Sequence, residues 1–311
     1  MLAHWDDVEP VRRDIGHLRG EWTDLGRAAG SVDVGVRRIR LAPGEVPTPE
    51  HMHPVEEEIF YVLAGSGLSR QNGRTYEIRA GDCIVHAAMA EAHTLRAGDE
   101  GLLVLAYGHR MRTPGAYLPN ANRYWLNPTW TEVGHISHPF AAEPELEWPE
   151  PSPRPPNILN VDEAEPGYDG ERGRWVPLAR KAGAVRSGLN WGRLEPGCAG
   201  APPHCHSAEE EIFVILEGGG TLDLWPAPAR ADDNEREQYE IRAGHVIARP
   251  PGTGIAHHFR AGDEGMMFLS YGTREPNDVC YYPRSNKIFL RGVGLIARLE
   301  PLAYDDGEPE D

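Results

Sequence analysis

The sequence contains almost no lysine. Of its 31 basic residues only Lys181 and Lys287 are lysines, so a mechanism that forms a Schiff base has few candidates. Positive charge is scarce overall, because 48 acidic residues give a formal net charge of −17 at pH 7. Nucleic acid and anionic membrane surfaces would repel such a chain. We therefore expect a small-molecule substrate as partner, with no nucleic acid and no membrane.

Cysteine is sparse as well, and long apolar runs are missing. The four cysteines show no C-x-x-C spacing, which predicts neither a disulfide framework nor a zinc knuckle. No stretch approaches the roughly 18 apolar residues that span a membrane. The first residues, MLAHWDDVEP, combine neither a basic start nor an apolar stretch, so we expect no signal peptide. These features predict a cytoplasmic protein.

What the sequence does contain is a pattern of potential metal ligands that occurs twice. In each copy two histidines flank one residue, a glutamate follows five positions later, and a third histidine comes just ahead of the string RAGDEG. The first set is His51, His53, Glu58 and His93, and the second is His204, His206, Glu211 and His257. One such set could arise by chance, but two sets in register indicate a duplicated metal site.

The duplication extends well beyond these ligands. Residues 25–65 align with residues 178–218, and an insertion at 226–236 of the second copy predicts a polar surface loop that could cover the second site. The proline-rich stretch between the copies favours extended chain and is interpreted as a linker. The predicted organisation is an N-terminal segment (1–24), a first domain (25–138), a linker (139–166), a second domain (167–304) and an acidic tail (305–311).

Within each repeat the pattern indicates β-structure. Short apolar runs such as residues 59–63 and 212–216 are rich in β-branched and aromatic side chains, and glycines separate them closely. Many short strands joined by glycine turns are typical of a β-sandwich or a β-barrel. We therefore predict an all-β fold class.

The ligand pattern also suits strands. Residues two apart on a strand point to one face, so His51 and His53 are expected to face the interior together, as are His204 and His206. Three imidazoles and one carboxylate leave positions open on an octahedral ion, where substrate or dioxygen could bind. This donor set suits Mn(II), Fe(II), Co(II), Ni(II) and Zn(II), and affinity alone does not choose among them. We predict one divalent metal ion per domain.

Two segments carry a resemblance to a known family. HMHPVEEEIFYVLAG and HCHSAEEEIFVILEG resemble the first signature of the cupin superfamily, in which H-x-H is followed by glutamate and then by glycine. The second signature is matched around Pro250, Gly252 and His257, whereas Ala87 and Met89 replace the usual proline and glycine in the first copy. The resemblance implies a bicupin, with two tandem barrels of the double-stranded β-helix or jelly-roll type. The longer spacers and the segment YGTREPNDVCYYPRS resemble a little-characterised cupin group, some members of which are labelled sugar-phosphate isomerases.

Among better-understood bicupins, oxalate decarboxylases and some quercetin dioxygenases are similar in keeping three histidines and a glutamate in each domain. That resemblance implies Mn or Fe chemistry of the decarboxylase or dioxygenase type on a small organic acid or an enol-like or phenolic substrate. Glu58 and Glu211 are then the candidate catalytic bases, because a labile carboxylate can leave the ion and accept a proton. The resemblance also allows a homodimer.

Two alternatives stay open. A sugar or sugar-phosphate isomerase would use the ion as a Lewis acid and would need a basic phosphate clamp, of which this acidic sequence shows no cluster. A non-enzymatic cupin would bind a small molecule or a metal without turnover. Additional candidates, each with an ordinary structural role as its alternative, are the proton carriers His86 and His258 and the matched arginines Arg40, Arg193, Arg110 and Arg274.

Overall fold

The protein is described by a computed structural model, which covers residues 2–111, 114–126, 129–130, 140, 143–228, 235–303 and 305–307. Short helices interrupt the strands: α1 (Leu25–Ala28), α2 (Leu178–Lys181) and the 3-10 helix η1 (Arg291–Val293). The strands up to the linker are β1 (Leu2–His4), β2 (Val11–Ile15), β3 (Leu18–Asp24), β4 (Val34–Leu41), β5 (Glu58–Gln71), β6 (Arg74–Arg79), β7 (Asp82–His86), β8 (His93–His109), β9 (Gly115–Leu118), β10 (Arg123–Leu126) and β11 (Thr129–Trp130). Those that follow are β12 (Ile158–Asn160), β13 (Tyr168–Gly170), β14 (Gly173–Val176), β15 (Gly188–Leu194), β16 (Cys205–His206), β17 (Glu211–Pro226), β18 (Glu237–Arg242), β19 (His245–Arg249), β20 (Ile255–Gly272), β21 (Val279–Tyr282), β22 (Lys287–Leu290) and β23 (Leu295–Arg298).

Each half of the chain builds one large antiparallel sheet. The first has the strand order β12-β7-β5-β8-β4-β3-β2, with β6 paired to β5, and the second has the order β1-β19-β17-β20-β15-β14-β13, with β18 paired to β17. Two smaller sheets, β11-β10-β9 and β16-β21-β22-β23, lie beside the two H-x-H segments, where Met52 bridges Tyr117 and Cys205 pairs with Tyr281. The predicted all-β class with two tandem jelly-roll barrels is confirmed.

The apolar run in β5 is continuous because both of its faces are buried. Ile59 and Tyr61 pack into a core shared by the two halves of the chain, whereas Phe60 and Val62 pack inside the first barrel. Alternate strand residues point to opposite faces, so a strand between two cores has no solvent-facing position to make polar. The run at residues 212–216 is divided in the same way.

The two halves exchange edge strands. The N-terminal strand β1 adds to the second sheet by pairing with β19, and β12 adds to the first sheet by pairing with β7. These strands lie in the segments that the sequence predicts as N-terminal extension and linker. Part of that linker also packs on the first barrel, where Trp148 lies near the guanidinium groups of Arg70 and Arg96. The domain boundaries themselves stay a prediction.

Two buried glutamates fasten the halves to each other. Glu57 accepts hydrogen bonds from the backbone N–H groups of residues 185–187 and from the Ser187 hydroxyl. At the matching position Glu210 accepts hydrogen bonds from the N–H groups of residues 32–34 and from the Ser31 hydroxyl. The middle glutamate of each EEE motif therefore joins the domains, while the last one faces the site.

Two predicted surface features lie partly outside the described residues. The structure does not describe positions 229–234 of the insertion or positions 308–311 of the acidic tail. The described residues of the insertion do not line the cavity of the second barrel. No helix among the described residues is both long enough and apolar enough to cross a membrane.

Candidate metal centres

The first barrel brings its four predicted ligands to one point. Glu58 begins β5 and His93 begins β8, while the His51 backbone bridges to His93. The Glu58 Oε2 atom lies 2.9 Å from His93 Nε2, 3.4 Å from His53 Nε2 and 3.7 Å from His51 Nε2. One potential donor atom from each of the four residues lies within 4.8 Å of every other. We call this group the first cluster.

The second barrel has a similar arrangement, which we call the second cluster. Here His204, Glu211 and His257 form one group of mutually close donor atoms, whereas His206 groups with His204 and Cys280 or with Glu209 and Asp278. The Glu211 Oε2 atom lies 3.1 Å from His257 Nε2, 3.2 Å from His206 Nε2 and 3.7 Å from His204 Nε2. Glu211 begins β17, and the His204 backbone bridges to His257. The structure therefore brings together all eight residues that the sequence predicts, four in each barrel.

The imidazoles are oriented so that their Nε2 atoms face the glutamate. In the first cluster the Nδ1 atoms of His51 and His93 lie 2.9 and 3.3 Å from backbone carbonyl oxygens, and His53 Nδ1 lies 2.8 Å from Glu56 Oε1. In the second cluster His204 Nδ1 lies 2.8 Å from the Pro202 carbonyl oxygen. An Nδ1 that donates its proton outward leaves an Nε2 lone pair pointing inward, as in metal-binding histidines.

In the second cluster the carboxylate next to the Nδ1 atom of His206 comes from a distant part of the chain. Asp278 lies in the loop before β21, and its Oδ2 atom is 2.7 Å from His206 Nδ1. The N–H groups of Ala208 and Glu209 donate to its other oxygen at 3.0 and 3.1 Å. Sequence reasoning missed Asp278, although it belongs to the YGTREPNDVCYYPRS segment already singled out. In the first cluster Glu56 takes the matching place behind His53.

Burial and charge set the protonation of the clusters. Burial lowers the pKa of His51 to about 3 and that of His93 to about 4, so both are neutral near pH 7. Burial alone would also lower the pKa of His53, but its hydrogen bonds with Glu56 and Glu58 outweigh this effect and raise it to about 10. Each carboxylate-rich pocket thus attracts positive charge, which a metal ion can supply instead of a proton.

The residues directly behind the clusters differ between the barrels. His86 lies opposite Glu58 in the strand ladder and stacks on His93, with ring centroids 3.7 Å apart and planes 3° apart. The equivalent place opposite Glu211 holds the buried guanidinium of Arg249. The His86 Nδ1 atom lies 2.8 Å from Glu91 Oε1, and burial lowers the pKa of this imidazole to about 3. His86 therefore packs against a proposed ligand.

The donor set fits a divalent ion. In the second cluster three buried atoms, Nε2 of His206, Nε2 of His257 and Oε2 of Glu211, make no well-aligned hydrogen bond within the described part of the chain. Buried polar atoms without partners cost free energy, which coordination of an ion would offset. Three imidazole nitrogens and one carboxylate oxygen are donors that Mn(II), Fe(II) and the later divalent metals accept.

Each cluster opens into a cavity. The first cavity has a volume of about 350 Å³ and is lined by apolar side chains such as Trp22, Phe60 and Leu118. The second has a volume of about 510 Å³ and is also rich in aromatic side chains, among them Trp175 and Phe268. His258 lines this second cavity, with its Nδ1 atom 2.8 Å from the Ala201 carbonyl oxygen. Both volumes are in the range of small-molecule sites.

Comparisons with known proteins agree with this architecture. The family model for the cupin domain matches residues 37–106. Protein SchB of Streptomyces halstedii is 34% identical over 114 residues, which make up 37% of this chain and 68% of that protein. The chain belongs to the cupin superfamily. A second relative of this cupin, polyketide synthase CurC of Streptomyces cyaneus, is 28% identical over 163 residues, or 50% of this chain and 92% of that protein.

Solved structures extend the similarity to both barrels. A structure of Bacillus subtilis oxalate decarboxylase, studied for its Mn(II) centres, superposes with a TM-score of 0.59 and 18% identity, covering 90% of this chain and 78% of that one. At this identity the match shows the fold alone. This cupin therefore has a bicupin fold. Each barrel contains a group of side chains that could hold a metal ion, which is His51, His53, Glu58 and His93 in the first barrel and includes His204, Glu211 and His257 in the second.

Proposed function

We propose that this bicupin is a metal-dependent oxidoreductase of the decarboxylase or dioxygenase type, which acts on a small organic acid or on an enol-like or phenolic substrate. Each barrel would bind one divalent ion through its own cluster, with Mn(II) or Fe(II) as the favoured metal. The observation that carries the proposal is the convergence of three imidazole Nε2 atoms on one carboxylate at a cavity in both barrels.

The comparisons support the choice of metal and substrate class. The similar Bacillus subtilis fold belongs to an oxalate decarboxylase with Mn(II) centres. CurC is named as a polyketide synthase. Both names are compatible with a substrate that offers oxygen donors to a metal ion.

The protein's own residues would provide the rest of the chemistry. A bound ion would supply Lewis-acid and redox chemistry. Glu58 and Glu211 are ionised because the neighbouring imidazoles hold the pKa of each carboxyl well below its usual range, even though burial acts in the opposite direction. Either carboxylate could therefore accept a proton from a substrate bound in its cavity. The aromatic walls would exclude water from the reacting atoms.

Metal content and gas exchange test this proposal together. Protein purified without added metal or chelator is analysed for metals, and oxygen uptake and carbon dioxide release are then measured with a panel of small acids and phenols. Mn or Fe near one equivalent per domain, with turnover of a panel member, is the expected result. A protein that binds no metal even after reconstitution would contradict the proposal.

The other outcomes identify the competing functions. Zn or Ni with sugar-phosphate isomerisation and no gas exchange would show an isomerase. Tight ligand binding without any product would show a binding cupin. The His206→Ala variant is the internal control, because it should lose metal from the second barrel while keeping the first occupied.

A further inference from the structure

Two arginines line the first cavity together with its cluster. Arg13 comes from β2 and Arg37 from β4, and both contribute to the wall that also contains His51, His53 and Glu58. Neither is among the matched arginines that the sequence suggested as additional candidates. Of those, Arg40 does not line this cavity, and Arg110 is engaged with the Ser31 carbonyl oxygen at 2.7 Å.

Neither guanidinium group has an anionic partner within the described ranges of the chain. Among the described residues, neither side chain makes an ion pair or a hydrogen bond, and Arg13 lies 4.7 Å above the ring centroid of Trp22. Their chain neighbours differ, because Arg12 pairs with Glu45 and Arg38 lies 3.8 Å from Asp6. Burial, and then the like charge of Arg37, lower the pKa of Arg13. Both side chains stay exposed to solvent where they line the cavity. Their two like charges make this part of the cavity wall positive, which favours entry of an anion.

The second barrel provides an internal comparison. At the offset that relates residue 25 to residue 178, Trp22 corresponds to Trp175 and Arg37 corresponds to Asn190. Arg13 lies opposite Gly20 in the ladder of β2 and β3. Gly173 is the equivalent of Gly20 in the second repeat and lies opposite Gly170, which therefore takes the place of Arg13. The same two positions therefore carry two cations in the first barrel and none in the second.

The arginines that do line the second cavity are already engaged. Arg172 donates to the Ala199 carbonyl oxygen at 2.8 Å, Arg174 lies 3.8 Å from Asp169 Oδ2, and Arg193 lies 3.3 Å from Glu195 Oε1. Asn190 leaves its buried Oδ1 atom without a partner among the described residues. An amide oxygen accepts a hydrogen bond from a neutral hydroxyl group, whereas it repels a carboxylate.

We propose that the two cavities differ in ligand charge, and that Arg13 and Arg37 make the first one selective for an anionic ligand, in particular a planar carboxylate. The guanidinium fork matches the two oxygens of a carboxylate, and Trp22 offers a flat apolar surface beside it. The inference takes only the class of substrate, a small organic acid, from the proposed function. The predicted binding preference itself needs no turnover.

The test is calorimetric titration of the Zn(II)-loaded protein, in which redox turnover is silent. The probes are salicylate, its neutral counterpart salicylamide, and phenyl phosphate. We expect one equivalent of salicylate to bind per chain, more tightly than salicylamide. Arg37→Asn, which installs the second barrel's residue, and Arg13→Met should each weaken salicylate binding at least about tenfold and leave salicylamide binding unchanged.

Control variants separate this effect from general damage. Arg193→Met, at the second cavity, should leave the salicylate affinity unchanged, and metal content is measured for every variant. Asn190→Arg should strengthen binding of salicylate at the second cavity. The proposal is wrong if the wild type prefers neither anion over salicylamide, or if Arg37→Asn weakens both salicylate and salicylamide equally.

Two further results are informative in opposite ways. Phenyl phosphate that binds more tightly than salicylate would overturn the carboxylate assignment and favour an isomerase. Arginine-dependent binding of salicylate by a protein that shows no gas exchange would support the charge selectivity while contradicting the proposed oxidoreductase.

Discussion

At the scale of single residues, the two clusters differ most in the carboxylate that lies next to the Nδ1 atom of one histidine. His53 has a carboxylate from its own loop, Glu56, whereas His206 has Asp278, which lies 72 positions away in sequence. The Asp278 carboxylate is buried and held by two backbone N–H groups. A carboxylate that accepts the outer proton of a histidine makes the inner nitrogen a stronger donor.

Replacement of this carboxylate should therefore weaken the second centre alone. We expect Asp278→Asn to lower the metal affinity of the second barrel by about 10- to 100-fold, because the amide lacks the charge that orients and polarises His206. Titration with Mn(II), followed by equilibrium dialysis, would show one tight and one weakened site per chain.

Glu56→Gln is the matched control for that experiment. It should weaken the first site and leave the second intact, since the two carboxylates lie in different barrels. Equal affinities in the wild type and in Asp278→Asn would contradict the role assigned to Asp278.

The proposed ligands were predictable at this scale and their partners were not. All eight proposed ligand residues stand in the two H-x-H and glutamate motifs or are the distal histidines that the repeat singles out. Asp278, Arg13 and Arg37 stand in no motif whose spacing is set locally. They reach the clusters or the cavity only through strand pairing, which the repeat does not encode.

At the scale of elements, exchange of edge strands is the main feature beyond the repeat. β1 pairs with β19 through residues 2–4, and the buried His4 side chain lies 3.0 Å from the Ala243 carbonyl oxygen. Trp5 and Leu2 pack against the apolar cores. The strand thus protects an edge of the second sheet, which would otherwise present unpaired backbone groups.

Removal of residues 1–5 should destabilise the second barrel. We expect a loss of about 2–4 kcal/mol in the free energy of unfolding, from lost ladder hydrogen bonds and buried apolar surface. Urea unfolding followed by circular dichroism measures the change. Deletion of residues 305–311 is the control, since the described residues of that tail are exposed. Equal loss in both truncations would argue against a specific role of β1.

The sequence predicted the strands better than their pairing. The repeated apolar runs indicated strands in each domain, as observed, but the expectation that glycine turns keep them short was wrong for the central strands. Gly65 and Gly67 lie within β5, and Gly218 to Gly220 lie within β17, where the strand pairing shifts register instead of turning. The linker prediction did not anticipate β12, because its proline content favours extended chain whether or not that chain joins a sheet. A three-residue strand carries no periodicity from which to infer its partner.

At the scale of the whole molecule, the two barrels act as one packed unit. Tyr107 and Tyr271, equivalent residues of the two repeats, stack with ring centroids 5.2 Å apart in the shared core. Glu57 and Glu210 fasten opposite sides of this core to backbone N–H groups of the other half. The duplication thus produces a pseudo-symmetric interface within one chain.

Loss of either buried charge should loosen that interface. We expect Glu57→Gln or Glu210→Gln to lower the free energy of unfolding by about 2–4 kcal/mol, because the new amide group turns a donor toward N–H donors. Differential scanning calorimetry would record the lower melting temperature. The exposed Glu240→Gln is the control and should leave it unchanged. A melting temperature for Glu57→Gln equal to that of the wild type would contradict the fastening role.

The sequence by itself determined the all-β class, the duplication, the cupin membership that its motifs indicated and the residues of both clusters. The all-β class follows from short-range spacing, since alternation along a strand acts within a few residues. The duplication and the distal histidines follow from comparison of the two repeats. Only the tertiary structure decided which barrel receives each edge strand, why Glu57 and Glu210 differ from their glutamate neighbours, and where Arg13 and Arg37 meet. Those outcomes depend on strands that pair across long stretches of chain, where burial and hydrogen-bond satisfaction in the assembled barrels select the partner.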